Sequence, residues 1–596
     1  MASEYWTRFQ GMRASRRRFL GAGAAAGAGV AGLALVGCGD DDDATPTKTT
    51  GPAGTTAPGS ATAGASATAA APVGLKGGTL RIPLSGVSSG NPPTLYPFEN
   101  LTYLAQTPAA FHYSRLLRGV SGAKIAVEDK TVLQGDIVSK YEQIDPTNYT
   151  FTLKPNVKWH NKAPLNGRAV TATDYAKSYE VFSKISQNGA KFNGVIDSVT
   201  ATDEKTIKIK LKQPFAPFLS SMAASAEGPW LIPVETIDSG QAKEDPVGTG
   251  PYVFKSIATG VSIKWDRNAD YYDQPYPFFD KVEAGLTNDA QRIVAALQTG
   301  ELDASGLNGV IFKESRSKLD PKGQDVFYQN LVESGMYFNF DNKPFNDIRV
   351  RQALSMIMDR AGMLKVQDGT GKGGWHAHQP VGMAPYYLNP ESTAFGPNAK
   401  YYKRDIAEAK KLLAAAGAEG LSFKMIGNVD RYGPEAKQLW ELVTASLQEA
   451  GLKPELVFQE YATYIQTIFL GKMPENTCAI GPFIGAPNDP DDVFATIYWS
   501  KSVRHNWGGT PIPEQPAIDA MIEKQRTILD TKERIAAVQD GQRLMAESML
   551  TVPYHGSSGY AYYAPWMKNV FGKSGYAYIP DDLMKASFDA DRIKKG

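Results

Sequence analysis

The stretch "YTFTLKPNVKWHNKAPLNGRAVTATDYAKSYEVF", Tyr149–Phe182, begins with the pattern of a β-strand. In its first residues Tyr149, Phe151 and Leu153 alternate with threonines, and this period of two is typical of a strand with one buried face. The same period recurs further along the chain, at Ile207, Ile209 and Leu211 in "TIKIKL" and at Val261, Ile263 and Trp265 in "VSIKW". These three segments predict half-buried strands.

Amphipathic helices with recognisable ends occur among and after these strands. Asn288 is a suitable N-cap for a helix that ends before Gly300, and Asp347 is a suitable N-cap for another. Asp405 begins a third apolar-periodic segment, which ends at Gly417. The chain of 596 residues is therefore predicted to be a mixed α and β protein with two or three domains.

The composition excludes several classes of function. Lys and Arg number 63 and Asp and Glu number 62, and no basic stripe stands out, so no nucleic-acid partner is expected. The chain has two cysteines, Cys38 and Cys478, and only Cys478 lies in the long body, so a disulfide scaffold is not expected there. No motif in the body requires a bound cofactor, and none is expected.

The N-terminal segment carries motifs for export and lipidation. Arg16 and Arg17 in "SRRRFL" resemble the twin-arginine signal, and the apolar run Gly21–Gly37, about 17 residues, is short for a helix that spans a bilayer. "LVGC", which ends at Cys38, resembles the lipobox of bacterial lipoproteins. Residues 1–37 are therefore predicted to be a signal peptide, and acyl chains on Cys38 are predicted to hold the mature chain at the membrane.

Residues 38–76 are predicted to be the lipidated cysteine and a disordered linker. The segment consists mainly of Asp, Thr, Ala, Gly, Pro and Ser, and it has too few large apolar side chains to offset the entropy of ordering. As a flexible coil its ends lie roughly 35 Å apart. That length holds a globular body just clear of a membrane surface.

Two patterns in the body match enzyme motifs but lack their context. Ser88 in "GVSSG" has the spacing of a nucleophile elbow, yet "NPP" follows at residues 91–93 and resists the helix that an elbow requires. The glycines of 369–374 fit GxGxxG, but the segment follows a helix and continues into "WHAHQP". Both segments are interpreted as loops.

Two clusters of potential ligands or acids are ambiguous. His376 and His378 can share a metal ion from an extended segment, although no cysteine cluster supports them. Asp489, Asp491 and Asp492 in "NDPDDVF" suit acid–base chemistry, but the same residues suit a turn followed by a helix N-terminus. The turn is the favoured interpretation.

Several segments in order carry a resemblance to a known family. Besides Tyr149–Phe182 they are "GGTLRIPLSG", "NPPTLYPFE", "VGTGPYVFKS", "NADYYDQPYPFFDKVEAGLTNDAQRIVAALQTGELDA", "YFNFDNKPFNDIRVRQALSMIMDR" and "AKKLLAAAG". Together they resemble the family 5 solute-binding proteins of ABC importers, whose members bind dipeptides, oligopeptides and nickel complexes. The resemblance extends from about Gly77 to the C-terminus.

The resemblance implies an α/β, periplasmic-binding-protein-like fold in which two lobes joined by a hinge close over a ligand. An additional α/β domain is expected to be inserted in the first lobe. The expected divisions are 77–112 with 230–335 and 553–596 for the first lobe, 113–229 for the extra domain and 336–552 for the second lobe. The hinge crossings are expected near "MYFNF" and "TVPYH".

One departure from the peptide-binding members concerns the ligand's amino group. In those members a tryptophan and then an aspartate precede an Asp-Pro pair, and the aspartate pairs with the free amine of the peptide. Aligned on Asp489-Pro490, these positions fall on Phe483 and Ala486. Alanine leaves a buried ammonium uncompensated, which is costly. Asn488 or Asp489 substitutes for the missing carboxylate if the loop is shifted.

The resemblance predicts a non-enzymatic receptor that delivers a peptide or a peptide-sized polar solute to an ABC permease. It is expected to be a monomer, exported and lipid-anchored at the outer face of the cytoplasmic membrane or in the periplasm. Two alternatives stay open: a receptor for a metal complex that uses His376 and His378, and a surface hydrolase that uses Ser88 or the Asp489 group. The residues predicted to line the cleft are Tyr96, Trp375, His376, Phe483, Asn488, Trp499 and His505.

Overall fold

The computed structural model describes residues 74–84, 92, 94–120, 132–186, 188–224, 228–287, 289–329, 331–341, 343–370, 372–429, 432–469, 472–484, 487–502, 510, 512–556, 558–571 and 578–595. The predicted signal peptide and nearly all of the linker fall outside these ranges. Seven residues singled out from the sequence also lie outside them: Arg16, Arg17, Cys38, Ser88, Asn288, Ala486 and His505.

The described residues form 22 strands. They are β1 Thr79–Leu84, β2 Leu117–Gly119, β3 Leu133–Gly135, β4 Val138–Asp145, β5 Asn148–Leu153, β6 Ile196–Ala201, β7 Thr206–Leu211, β8 Tyr252–Ala258, β9 Ser262–Arg267, β10 Lys281–Leu286, β11 Ala304–Asn308, β12 Gln324–Gln329, β13 Glu333–Phe338, β14 Gly374–Trp375, β15 Ser422–Gly427, β16 Lys453–Phe458, β17 Thr477–Ile484, β18 Thr551–Pro553, β19 His555–Gly556, β20 Ser558–Tyr563, β21 Met567–Lys568 and β22 Ser587–Phe588.

The same residues form 18 α-helices. They are α1 Tyr103–His112, α2 Ala172–Ile185, α3 Gly189–Val195, α4 Phe218–Ala223, α5 Val234–Asp238, α6 Gln241–Glu244, α7 Ala290–Thr299, α8 Gly309–Ser315, α9 Ile348–Ile357, α10 Arg360–Gln367, α11 Ile406–Ala415, α12 Gly433–Glu449, α13 Tyr461–Tyr464, α14 Pro490–Val493, α15 Gln515–Thr527, α16 Thr531–Ser548, α17 Tyr578–Leu583 and α18 Ala590–Lys595. None of the helices in these described ranges has the length and apolarity needed to cross a bilayer.

One part of the chain is organised around an antiparallel sheet in the order β4-β5-β7-β6. Tyr149, Phe151 and Leu153 are buried in β5, as the alternation in the sequence predicts, and Ile207 and Ile209 of β7 are buried opposite them. Helices α2 to α4 pack on the same hydrophobic cluster. We call this sheet with its three helices the antiparallel unit.

A second part is organised around a five-stranded sheet in the order β16-β15-β17-β13-β18. Strand β15 runs parallel to β16 and β17, and β13 runs antiparallel to β17 and β18. Its core includes side chains from α9, α12, α15 and α16. We call this sheet with its helices the five-stranded unit.

The two segments expected to contain the hinge crossings lie side by side in this sheet. Strand β13 pairs with β18 in the register Gly335 to Pro553 and Tyr337 to Thr551. Such neighbours are compatible with two chain crossings of one hinge. The division of the chain into lobes at the residues given above stays a prediction.

Two further sheets have the strand orders β1-β10-β9-β8 and β11-β20-β12. Their buried side chains form two hydrophobic clusters, in which strands from the beginning of the body pack with strands from the C-terminal part of the chain.

The prediction for "VSIKW" is wrong at its first residue. Strand β9 begins at Ser262, and Val261 is 64% exposed because it follows a turn at Gly260, whose φ is +69°.

Three of the five predicted helix ends, at Asp347, Asp405 and Gly300, are confirmed. Asp347 and Asp405 accept backbone N–H bonds as the N-caps of α9 and α11. Helix α7 is capped by Asp289, one residue after the predicted Asn288, and Gly300 follows its end with a φ of +77°. Helix α11 ends at Ala415, two residues before Gly417.

Candidate functional site

The segment Asn488–Asp492 forms a turn that leads into helix α14. The Asp489 carboxylate accepts the Asp491 N–H at 2.8 Å, and the Asp492 carboxylate accepts the N–H groups of Asn488 and Asp489 at 2.9 and 3.0 Å. This reciprocal arrangement is a capping box, and Pro490 occupies the first helical position, where it loses no hydrogen bond. The turn predicted from the sequence is therefore confirmed.

Asp489 is paired with a cation from its own unit. The Arg534 guanidinium of α16 donates to both Asp489 carboxylate oxygens, Nη1 at 2.8 Å and Nη2 at 2.5 Å. Both side chains are about 5% exposed. Burial alone would raise the pKa of Asp489, but Arg534 and the turn N–H hold this pKa below its usual range. The Asp489 carboxylate is therefore ionised and already compensated.

The two other acids of this turn also have cationic partners. Asp491 accepts Arg526 Nε and Gln525 Nε2, both at 2.7 Å, and Asp492 accepts Lys191 Nζ at 2.6 Å. A general acid or base needs a proton-transfer partner in a substrate rather than a fixed ion pair. The three carboxylates act here as caps and ion-pair acceptors.

The segment Trp375–Gln379 connects the second expected hinge strand with this turn. Trp375 pairs with His555 between β14 and β19, and the His376 N–H donates to the Tyr554 carbonyl at 3.0 Å. The Gln379 side-chain amide donates to the Pro490 carbonyl, also at 3.0 Å. Trp375 and His376 thus lie beside Tyr554 and His555, and the same short segment reaches the turn that contains Asn488.

The histidines of this region are neutral. Burial lowers the pKa of His376 and of His378 to about 3 and that of His555 to about 4. His376 Nδ1 accepts the Val381 N–H at 3.3 Å, so the lone pair of that nitrogen is occupied. His378 has a φ of +59°, and its Nδ1 lies 2.9 Å from the Tyr402 hydroxyl.

The two histidines that were candidates for a shared metal thus have separate Nδ1 partners. Within the described ranges, no group of three or more His, Cys, Asp or Glu side chains has the geometry to hold a metal ion. The receptor for a metal complex stays an alternative prediction.

Trp499 lies beside the cationic partner of the turn. The Arg526 guanidinium is 4.3 Å from the centre of its ring, and Lys501 Nζ is 5.1 Å from it. A cation over an aromatic face is attracted by the ring quadrupole. Trp499 and the Asp489–Asp492 turn are therefore linked through Arg526, which contacts both.

The remaining predicted ligand residues are not brought to this region by described contacts. Tyr96 is 2% exposed and packs against Phe98 in the core that includes the antiparallel unit, with ring centres 5.4 Å apart. Phe483 lies on β17, two residues before the segment 485–486 that is not described. The assignment of all seven residues to a ligand cleft stays a prediction.

Glu333 is a buried carboxylate that no sequence motif marked. It is the first residue of β13, lies opposite Ile484 in the sheet and is 1% exposed. Its Oε1 accepts the Tyr498 hydroxyl at 2.8 Å, and the same hydroxyl lies 3.0 Å from the Thr551 hydroxyl. Burial raises the pKa of Glu333 to about 7, because the single hydrogen bond from Tyr498 compensates the charge only in part.

The comparisons with known proteins identify the family. A model described as bacterial extracellular solute-binding proteins, family 5 Middle, matches residues 133–503, more than half of the chain. The chain belongs to this family. It is a solute-binding protein of the peptide ABC importer family rather than an enzyme, because the family consists of binding proteins.

Two curated relatives and one solved structure show the extent of the similarity. Heme-binding protein A of Haemophilus influenzae is 26% identical over 468 residues, 73% of this chain and 80% of that protein. A dipeptide-binding protein of Escherichia coli is 25% identical over 470 residues, 75% of this chain and 83% of that protein.

The structure of DppA from Helicobacter pylori in complex with the peptide STSA matches with a TM-score of 0.70 and 21% identity. It covers 86% of this chain and 98% of DppA. This likeness confirms the predicted α/β fold with two lobes of the periplasmic binding proteins.

Proposed function

We propose that this family 5 protein is an exported lipoprotein that captures a peptide-sized polar solute and delivers it to an ABC permease. The proposed solute carries no ammonium group that needs a carboxylate at the position of Ala486. The lipidated residue is Cys38, and the export signal contains Arg16 and Arg17. The protein acts as a monomer, because closure of two lobes within one chain is sufficient for capture.

The observation that carries this choice of ligand is the pairing of Asp489. An amine-binding carboxylate is absent at position 486 of the sequence, and Asp489 is the nearest acid along the chain. Arg534 donates to its two oxygens at 2.8 and 2.5 Å. A ligand ammonium that binds there must therefore compete with Arg534 for the buried carboxylate. Such a rearrangement costs several kcal/mol, about the full worth of a charge-assisted contact.

The relatives of this chain are named for ligands of different chemistry. One relative is named for heme and another for dipeptides, at nearly equal identity to this chain. The name of either ligand therefore gives no reason to prefer it here. The proposal follows from the residues of this chain.

The proposed cleft lies where Trp375–Gln379 meets the Asn488–Asp492 turn. Trp375 and Trp499 are only partly buried, so each has aromatic surface available for a ligand. Asn488 is proposed as a hydrogen-bond donor or acceptor at the turn. Tyr96, His376, Phe483 and His505 complete the proposed lining. The proposed lobes are those of the sequence-based division, with the cleft between them.

Mass spectrometry of the small molecules that co-purify with the protein from its native host tests the proposal. We expect one predominant compound of peptide-like mass that lacks a free α-ammonium group. A metal chelate or an ordinary dipeptide with a free amine would contradict the proposal. Protein that carries Trp375→Ala is the control, because it should lose the specific compound and keep adventitious ones.

A further inference from the structure

The antiparallel unit contacts the five-stranded unit directly at the Asp489–Asp492 turn. Lys191 Nζ of α3 lies 2.6 Å from Asp492 Oδ1, and the Ser220 hydroxyl of α4 donates to Asp489 Oδ2 at 3.2 Å. The partners are 301 and 269 residues apart in the chain. These contacts therefore depend on how the two units meet and not on local sequence.

A third contact lies beside the first two. The Ala216 N–H donates to the Arg526 carbonyl at 2.6 Å, and the Arg526 guanidinium lies 5.9 Å from the Phe215 ring centre and 4.3 Å from that of Trp499. Arg526 thus has an aromatic ring from each unit near its guanidinium. We call the three contacts together the crossing contact.

The two sides of the crossing contact belong to separate hydrophobic cores. Phe192 and Phe218 pack in the core of the antiparallel unit, whereas Val493 and Ile522 pack in that of the five-stranded unit. Separating the two sides therefore exposes the polar contact without opening either core. Surfaces of this kind are the ones that break and form again in hinge motion.

Burial makes the ion pair the main component of the crossing contact. Asp492 is 2% exposed and Lys191 is 24% exposed, so the ion pair is largely shielded from solvent on the carboxylate side. Asp492 already accepts two N–H groups of its own turn, and Lys191 supplies the positive charge. Asp489 has Arg534 in its own unit, so Ser220 adds a smaller amount.

We propose that Lys191 and Ser220 are positioning residues for ligand capture, which hold the antiparallel unit against the Asp489–Asp492 turn in the closed arrangement without contacting the ligand. Both residues attach to the turn that begins two residues after Ala486. A ligand that favours closure gains the energy of the crossing contact as well as its own contacts. This inference goes beyond the proposed function, because it concerns closure and holds for any ligand.

Distance measurement between two spin labels in ligand-free protein tests the inference. The labels are placed at Lys208→Cys on β7 and Lys410→Cys on α11, which are exposed residues of the two units, in full-length chain carrying Cys38→Ser. Cys478 is buried and is not expected to react. Because no ligand is added, the outcome does not depend on the proposed ligand.

We expect Lys191→Met with Ser220→Ala to raise the ratio of long to short distances about tenfold, since a partly exposed pair contributes less than a fully buried one. Lys191→Arg with wild-type Ser220 should restore the wild-type distribution. The control is Lys210→Met, which removes a lysine that forms an exposed pair with Asp197 on the same sheet. Equal distributions in the wild type and the double variant, or an equal change in the control, would overturn the inference.

Discussion

Replacing Glu333 by glutamine should change the pH dependence of stability. Glu333 is 1% exposed, and the only hydrogen bond described for its side chain comes from the Tyr498 hydroxyl. Burial raises its pKa from the ordinary 4.5 to about 7, so the folded protein holds a proton there that the unfolded chain releases. Glutamine has nearly the same shape and carries no charge at any pH.

The direction and size of the effect follow from this pKa. Between pH 4.5 and 7 the folded state binds more protons at this site than the unfolded state, so the free energy of unfolding falls as pH rises. Below pH 4.5 Glu333 is protonated in both the folded and the unfolded state, so its burial lowers the free energy of unfolding only a little. Above pH 7 Glu333 is ionised in both states, and the whole pKa difference between them lowers the free energy of unfolding. A difference of about 2.5 pKa units corresponds to about 3 kcal/mol. Glu333→Gln should remove this loss.

Urea denaturation at pH 5 and pH 8 measures the effect. The Glu333→Gln variant should be more stable than the wild type at pH 8 by about 2–3 kcal/mol, and by less than about 1 kcal/mol at pH 5. Glu455→Gln, an exposed glutamate on β16 of the same sheet, is the matched control and should show no such difference. If the gain from Glu333→Gln is the same at both pH values, Glu333 does not titrate as this argument requires.

Three further predictions concern the turn, the ligand and the tether. In urea denaturation, Arg534→Met should lower the free energy of unfolding by about 3–5 kcal/mol, because it leaves Asp489 charged and buried without its partner. The control is Arg543→Met, which removes an exposed ion pair of the same helix and should change the free energy of unfolding by less than about 1 kcal/mol. Ala486→Asp should raise the affinity for Ala-Ala over N-acetyl-Ala-Ala by about 10- to 100-fold in titration calorimetry, and equal affinities would show that residue 486 does not face the ligand. Cys38→Ser should abolish the acyl mass found on the wild-type protein by mass spectrometry, and an unchanged acyl mass would refute the lipid anchor.

The local structure was predictable where the sequence pattern and the local geometry coincide. Tyr149, Phe151 and Leu153 are buried on one face of β5, because a strand exposes alternate residues to alternate sides. Val261 does not follow this rule. It is apolar but exposed, because it lies at the edge of the turn at Gly260 and not in the strand. The period of two predicts a strand, but it does not predict the residue at which the strand begins.

The site was predictable only in its local part. The Asp489-Pro490 turn follows from side chains within four residues of one another, and the sequence predicts it. The pairing of Asp489 with Arg534 joins residues 45 positions apart, and that of Lys191 with Asp492 joins residues 301 apart. No local pattern specifies such partners, because several Lys and Arg residues have the same charge and reach.

The anchoring of the Asp489 turn by Arg534 has a consequence for how a new ligand preference can arise. The turn is fixed by a buried ion pair and a capping box within its own unit, and none of these contacts needs a ligand. In the proposed cleft, substitutions at positions 485 and 486, which immediately precede the turn, are therefore expected to change the chemistry that the solute meets while these contacts of the turn stay in place. A laboratory selection confined to these two positions should recover variants with altered preferences at a high rate, because neither position takes part in the ion pair or the capping box that holds the turn.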